Sequence, residues 1–120
     1  MFRLVTFLLL AVWRTDVLLV NAGVTCGGTG NYAPLTATTV GGGEYNTANS
    51  YAATVGGGSN NGALADRTFV GGGISNTVTG STGTIIAGQL NRVSGGFGTI
   101  GGGFLNTATA SYTTIGGGSS

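Results

Sequence analysis

From residue 25 onward, the hydrophobic and polar positions of this chain recur every 15 residues. The repeats open on a β-branched apolar residue and three Gly residues at Val40, Val55, Val70, Ile100 and Ile115, and weaker copies of this opening start at Thr25 and Ile85. Numbered from that residue, position 4 is always Gly, position 7 is always Asn, and position 9 is Ala or Val. Six repeats fill residues 25–114 without insertion or deletion. A short repeat of constant length predicts a solenoid, in which each unit stacks on the last.

The repeat unit itself predicts β-structure. Fifteen residues are too few for a pair of helices, and Gly and β-branched residues oppose helix formation. We therefore predict an all-β solenoid with 15-residue coils and two short strands per coil, at positions 13 to 2 and 8 to 10. Strand alternation directs positions 1 and 9 inward and position 15 outward. Gly at positions 3 and 4 and Asn at position 7 are expected to form the turns, because both tolerate positive φ.

Three columns of the repeat are candidate functional or structural sites. We expect the position-7 residues to form a ladder of side-chain amides in a turn, with ligand binding as the alternative; they are Asn31, Asn46, Asn61, Asn76, Asn91 and Asn106. The outward column at position 15 consists of Thr39, Thr54, Thr84, Thr99 and Thr114, with Phe69 in the third repeat. Position 13 is a candidate assembly ridge because it carries Arg67, Phe97 and Tyr112, residue types that are enriched at interfaces.

Residues 1–22 have a different character and contain no Gly. Arg3 precedes an apolar run from Leu4 to Trp13, and Val20 and Ala22 offer small residues at a cleavage site. This pattern predicts a secretory signal peptide. A retained hydrophobic helical segment and a misplaced start codon are the alternatives. The chain thus divides into an N-terminal segment, 1–22, and a repeat solenoid, 23–120.

Composition excludes several classes of function. The 120 residues include 26 Gly, only 6% are charged, and Lys and His are absent. A basic patch for nucleic acid cannot be built from four basic residues. The absence of His excludes imidazole catalysis and His-ligated zinc, and the absence of Lys excludes a P-loop. We predict no catalytic residue, cofactor or metal site, and no enzyme. Cys26 is the only cysteine, expected to be half-buried at a Gly position of the repeat or to cross-link chains.

The Val-Gly-Gly-Gly runs, together with Asn-Thr-Ala at 46–48 and 106–108 and Asn-Thr-Val at 76–78, resemble a known repeat type. They are similar to the head repeats of trimeric autotransporter adhesins, and to related repeats in bacterial surface and phage fibre proteins. The resemblance implies a left-handed β-roll that trimerises side by side and adheres to host surfaces. The unit here is one residue longer than the usual head repeat.

Two functions follow as hypotheses. The first is a secreted or cell-surface structural protein, adhesin-head-like or a building block of an extracellular fibre. Such a protein would self-associate as a trimer or end to end and contact a host surface or glycan. The alternative is an ice-binding solenoid that uses the outward Thr column, although only Thr82 and Thr84 form a pair at positions 13 and 15. A thin core with many ordered Gly residues predicts marginal stability for an isolated monomer.

Overall fold

The computed structural model describes residues 23–120, all of which lie in short strands, turns and connecting segments. The twelve strands are β1 (Val24–Thr25), β2 (Thr39–Val40), β3 (Thr47–Ala48), β4 (Thr54–Val55), β5 (Gly62–Ala63), β6 (Phe69–Val70), β7 (Thr77–Val78), β8 (Thr84–Ile85), β9 (Arg92–Val93), β10 (Thr99–Ile100), β11 (Thr107–Ala108) and β12 (Thr114–Ile115). The N-terminal hydrophobic segment predicted at 1–22 lies outside the described residues. Within the described part, no helix is long and apolar enough to cross a membrane.

The strands form two parallel sheets that run along the solenoid. Seven strands pair in the order β1-β2-β4-β6-β8-β10-β12, and five pair in the order β11-β9-β7-β5-β3. Each residue pairs with its counterpart one repeat later, as Val40 does with Val55 and Ala48 with Ala63. The predicted parallel β-solenoid with 15-residue coils is therefore confirmed.

Each coil also contacts the next along a third side. Single parallel bridges join the residues at position 5, from Thr29 with Glu44 to Phe104 with Ser119. This third side was not predicted. The chain therefore turns three times per coil, which explains why each strand is only two residues long.

The interior is made by three columns of the repeat. The Val and Ile residues of position 1 and the Ala and Val residues of position 9 form the core, and Val40, Ala48 and Val55 are fully buried. Position 14 contributes a third column, which includes Ala53 and Thr38. The side chains of the inner columns are small because the two sheets lie close together, and the core is continuous from coil to coil.

The turns differ from the prediction. Asn at position 7 does not have positive φ; the non-glycine residues at positions 6 and 13 do, with φ between 53° and 60°, as at Tyr45 and Phe97. The strand predicted over positions 13 to 2 is accordingly restricted to positions 15 and 1. Gly at position 4 has positive φ in every coil, as predicted, with Gly58 at 89°. A Cβ atom there would lie 2.2 Å from the carbonyl oxygen of Gly73 in the next coil.

Cys26 also departs from its prediction. It occupies position 2 of the first coil and is exposed rather than half-buried. Position 2 lies one residue beyond the inward-facing position 1, so strand alternation points it to solvent.

Candidate functional site

The six Asn residues at position 7 form a continuous ladder of hydrogen bonds through the interior of one turn. Asn61 Nδ2 donates to the carbonyl oxygen of Gly57 in its own coil at 3.0 Å and to that of Gly73 in the next coil at 2.8 Å. Its Oδ1 accepts from the backbone N–H of Asn76 at 3.0 Å. The same pattern recurs at Asn46, and both side chains are fully buried or nearly so. The amides therefore satisfy backbone groups that the turn would otherwise leave unpaired.

This geometry leaves the ladder little capacity to bind a ligand. No buried side-chain nitrogen or oxygen in the described residues lacks a hydrogen-bond partner. The ladder at the N-terminal end begins at the half-buried Asn31, whose Oδ1 accepts from the N–H of Asn46. The contacts of the ladder are thus those of a structural element that binds successive coils together.

The Thr column at position 15 lies on the outer face of the seven-stranded sheet. Thr54 pairs with Thr39 and with Phe69, and Thr84 pairs with Phe69 and with Thr99. The Thr side chains from Thr39 to Thr99 are half-buried, whereas Phe69 is exposed. The column is regular in register, but the aromatic ring interrupts it near its middle.

A second outward Thr surface lies on the five-stranded sheet, and the sequence interpretation missed it. Positions 8 and 10 flank the buried position 9, so that Thr77 and Thr79 point outward on either side of Val78. Thr107 and Thr109 repeat this arrangement around Ala108 two coils later. The pair that the sequence suggested, Thr82 and Thr84, does not share a strand, because Thr82 occupies the left-handed corner at position 13.

Position 13 forms an exposed column along one corner of the solenoid. The rings of Phe97 and Tyr112 stack with their centroids 5.0 Å apart and their planes 2° from parallel. They remain 53% and 76% exposed, and Arg67 lies on the same corner two coils away. The three residues named from sequence therefore lie in one column, which we call the position-13 ridge.

The backbone holds the ridge rigidly. Each ridge N–H donates to the position-12 carbonyl of the previous coil, as Phe97 does to Ser81 and Tyr112 does to Gly96, both at 2.9 Å. These bonds maintain the left-handed conformation that an aromatic residue would otherwise disfavour. The backbone beneath the ridge is thus fixed by hydrogen bonds between coils, while its side chains project to solvent.

Charge is sparse along the described residues. Glu44, Asp66, Arg67 and Arg92 are the charged side chains of residues 23–120, and all four are exposed. Asp66 accepts a hydrogen bond from the Ser50 hydroxyl. In this part of the chain, no group of three or more His, Cys, Asp or Glu residues could hold a metal ion.

Comparison with known proteins adds no relative. No protein-family model matches the chain. No curated protein matches it closely enough to count as a relative.

Proposed function

We propose that this chain is a secreted or cell-surface structural protein that acts by self-association and surface contact. It would serve as an adhesin-like head or as a building block of an extracellular fibre. The observation that carries the proposal is the stacked pair of Phe97 and Tyr112, whose rings are 53% and 76% exposed. A rigid aromatic surface of this kind is typical of the centre of a protein interface.

The charge of the solenoid supports the same function. Residues 23–120 contain two acidic and two basic side chains, and hence have a formal net charge of zero. Copies of the solenoid therefore do not repel one another, and proteins near zero net charge associate readily. Exposed apolar side chains on such a surface have a strong tendency to be covered by a partner.

Several further features belong to the proposal. The segment 1–22 would direct secretion and be removed as a signal peptide, or be retained as a hydrophobic helix. By the resemblance to adhesin heads, the coils would wind in a left-handed sense. Self-association would give a trimer or an end-to-end fibre, and the outer faces would contact a host surface or glycan. The chain would need no cofactor and catalyse no reaction.

The size of the protein in solution tests the proposal. We expect the full chain to form oligomers or fibres that light scattering and electron microscopy detect at micromolar concentration. Phe97→Asp with Tyr112→Asp should reduce association, because it places charge on the ridge. Asp is tolerated in the left-handed region, so the circular dichroism spectrum should be unchanged. Tyr32→Asp with Leu64→Asp is the control, since it adds the same charge to exposed residues that flank the five-stranded sheet, away from the ridge. A monomeric full chain would contradict the proposal.

Ice binding is the second candidate function, and the outward Thr residues favour it. The column at position 15 presents Thr39, Thr54, Thr84 and Thr99 in parallel register. The pairs Thr77 with Thr79 and Thr107 with Thr109 offer further outward hydroxyl groups, with Arg92 and Ser94 at the same positions of the coil between them. A repeated spacing of about 4.8 Å between coils would place the hydroxyl groups in a regular array.

Thermal hysteresis distinguishes this candidate and its two surfaces. If ice is the ligand, the purified chain depresses the freezing point below the melting point. Loss of that activity on Thr99→Leu would assign the seven-stranded face, and loss on Thr77→Leu the five-stranded face. Circular dichroism must show that both variants keep the fold. The absence of hysteresis in the unsubstituted chain would exclude the candidate.

A further inference from the structure

A second exposed apolar surface lies around positions 5 and 6 of the coil, on a different corner from the position-13 ridge. Positions 5 and 6 of the fourth to sixth coils carry Ile74, Leu90, Phe104 and Leu105, which are between 39% and 49% exposed. We call these four residues the apolar corner. The equivalent positions of the first three coils carry Thr29, Gly30, Glu44, Ser59 and Asn60, with the exposed Tyr45 as the one aromatic exception. The aliphatic and Phe side chains at these positions thus lie in the C-terminal half of the described solenoid, where Ser75 and Gln89 are the polar members.

The apolar corner is built as rigidly as the ridge. Ile74 bridges to Gln89, and Gln89 bridges to Phe104, in parallel register. The N–H of Leu90 donates to the carbonyl oxygen of Ile74 at 2.9 Å, and that of Leu105 donates to Gln89 at 3.0 Å. Leu90 and Leu105 also have the left-handed φ, at 56° and 59°. Positions 6 and 13 of each coil therefore share the same left-handed backbone conformation.

The two surfaces lie at the same height along the solenoid. Leu90 and Phe97 belong to the fifth coil, and Leu105 and Tyr112 belong to the sixth. Because the coils stack in constant register, a second copy placed alongside in the same orientation would bring its apolar corner level with the ridge of the first. No axial shift would be needed for the four side chains to meet.

Nearer the N-terminus, the same two columns carry residues of opposite charge. Glu44 lies at position 5 of the second coil, on the polar part of the corner that becomes apolar further on. Arg67 lies at position 13 of the third coil, on the ridge. The two positions differ by one coil, or about 4.8 Å, along the axis, which the long Arg side chain can span. Asp66, beside Arg67, accepts a hydrogen bond from Ser50 at position 11 of the second coil.

We propose that the position-13 ridge of one copy docks against the apolar corner of a second copy of this chain, with the two solenoids parallel and level. Phe97 and Tyr112 would cover Leu90 and Leu105, and Arg67 would pair with Glu44 of the second copy. This inference rests on the proposed self-association and names the surface that receives the ridge. Parallel contact of ridge with ridge would instead oppose Arg67 to Arg67, which is unfavourable. A contact between two different surfaces leaves each copy with one of each still free, so that it recruits further copies.

Charge exchange provides the sharpest test. At low salt, Glu44→Arg and Arg67→Glu should each weaken self-association of the full chain about tenfold in dissociation constant, because each opposes like charges. The double variant Glu44→Arg/Arg67→Glu should restore association to within about twofold of the original. Analytical ultracentrifugation measures the dissociation constants. A double variant as weak as the two single variants combined would overturn the pairing.

Removal of the apolar corner is an independent test. Leu90→Asn with Leu105→Asn should weaken association at least about tenfold, because it removes two apolar contacts from the centre of the interface. Asn adopts the left-handed conformation more readily than Leu, so the fold should be retained. Ser75→Asn, at position 6 of the fourth coil, is the matched control and should leave association unchanged.

The results also separate this inference from the proposed function. If the full chain associates and Phe97→Asp/Tyr112→Asp weakens it while the Leu90 and Leu105 changes do not, the ridge assembles but on a different surface, and the inference is overturned. If the full chain does not associate at any concentration, the proposed function itself fails.

Discussion

A Cβ atom on Gly98 would lie 2.7 Å from Cγ1 of Val93, five residues earlier in the same coil. The relationship recurs one coil earlier, where a Cβ on Gly83 would lie 2.7 Å from Cγ1 of Val78. In the other complete coils, position 9 is Ala and position 14 is Ala or Thr. The side-chain volumes at positions 9 and 14 thus compensate each other. Where position 9 is the larger Val, position 14 is Gly, and the interior stays filled.

This exchange predicts that Gly98→Ala destabilises the chain unless Val93 becomes smaller. The single change should cost about 1–3 kcal/mol of unfolding free energy through overpacking. Val93→Ala/Gly98→Ala recreates the pair found in the second coil, Ala48 with Ala53. The double variant should therefore lose at least about 1 kcal/mol less than the sum of the two single losses. Urea denaturation measures the three values.

Gly96→Ala is the control for the general effect of replacing Gly with Ala at a position where the added methyl group meets no close neighbour. A Cβ on Gly96 would have no heavy atom closer than 3.8 Å, so the substitution should be neutral or stabilising by about 0.4–1 kcal/mol. Additive losses in the double variant would show that the two columns do not share space.

The Asn ladder predicts a large loss of stability on Asn76→Ala. Asn76 Nδ2 donates to the carbonyl oxygens of Gly72 and Gly88 at 3.0 and 2.8 Å, and its Oδ1 accepts from the N–H of Asn91 at 3.0 Å. The side chain is fully buried, so removal leaves several polar groups unpaired away from water. We expect a cost of roughly 2–4 kcal/mol. Asn49→Ala, at an exposed position 10, should cost less than about 0.5 kcal/mol.

Asn76→Asp gives the same ladder a pH dependence. A carboxylate there would face the two carbonyl oxygens instead of donating to them, and burial would raise its pKa. The folded state of this variant would then bind a proton more tightly than the unfolded state. Its stability relative to the unsubstituted chain should therefore rise as pH falls from 7 toward the unfolded pKa. A constant difference between the two chains across this range would contradict these hydrogen-bond directions.

The sequence was sufficient to predict the period, the stacked columns and the inner residues of positions 1 and 9, because each of these depends on a pattern repeated six times. Val40, Val55 and Val70 share a spacing and a residue type, and the parallel sheet aligns them. The position-13 ridge was predictable as a column for the same reason. Its stacked ring pair follows from placing Phe97 and Tyr112 one coil apart.

The left-handed corners could not be predicted, because the residues there are not those that prefer this conformation. Tyr45, Leu90 and Phe97 have positive φ, whereas Asn at position 7, the apparent turn residue, does not. Hydrogen bonds to the previous coil impose the conformation, as that of Tyr45 N–H to the Thr29 carbonyl at 2.8 Å shows. Such contacts exist only between coils, and the residue types at the corner do not indicate them. The sequence analysis therefore also did not identify the apolar corner.

The left-handed corners predict opposite effects of Gly at two adjacent positions. Ala52 is a corner residue with φ of 54°, whereas Ala53 is fully buried in the core. Ala52→Gly should be neutral or stabilise the chain by up to about 1 kcal/mol, because relief of backbone strain offsets the added freedom of the unfolded chain. Ala53→Gly should destabilise it by about 1 kcal/mol or more, since it removes a buried methyl group and adds no relief. Equal losses at both positions would contradict the assignment of strain to the corner.

Coupling between assembly and stability gives the last prediction. The inner columns consist of Val, Ile and Ala, so each coil buries little apolar area, and every Gly ordered on folding loses more backbone entropy than another residue would. Contacts between copies would add the burial that a single solenoid lacks.

Because a partner that binds only the folded chain stabilises it in proportion to the logarithm of its concentration, the melting temperature of the full chain should rise with protein concentration. Phe97→Asp/Tyr112→Asp should lower the melting temperature and remove its dependence on concentration, whereas Tyr32→Asp/Leu64→Asp should preserve that dependence. Differential scanning calorimetry over a hundredfold range of protein concentration measures the effect. For a fully coupled contact, the stability of the folded chain should rise by about 1.4 kcal/mol for each tenfold increase in concentration. A full chain that melts cooperatively at one temperature throughout this range would show that the monomer is stable by itself.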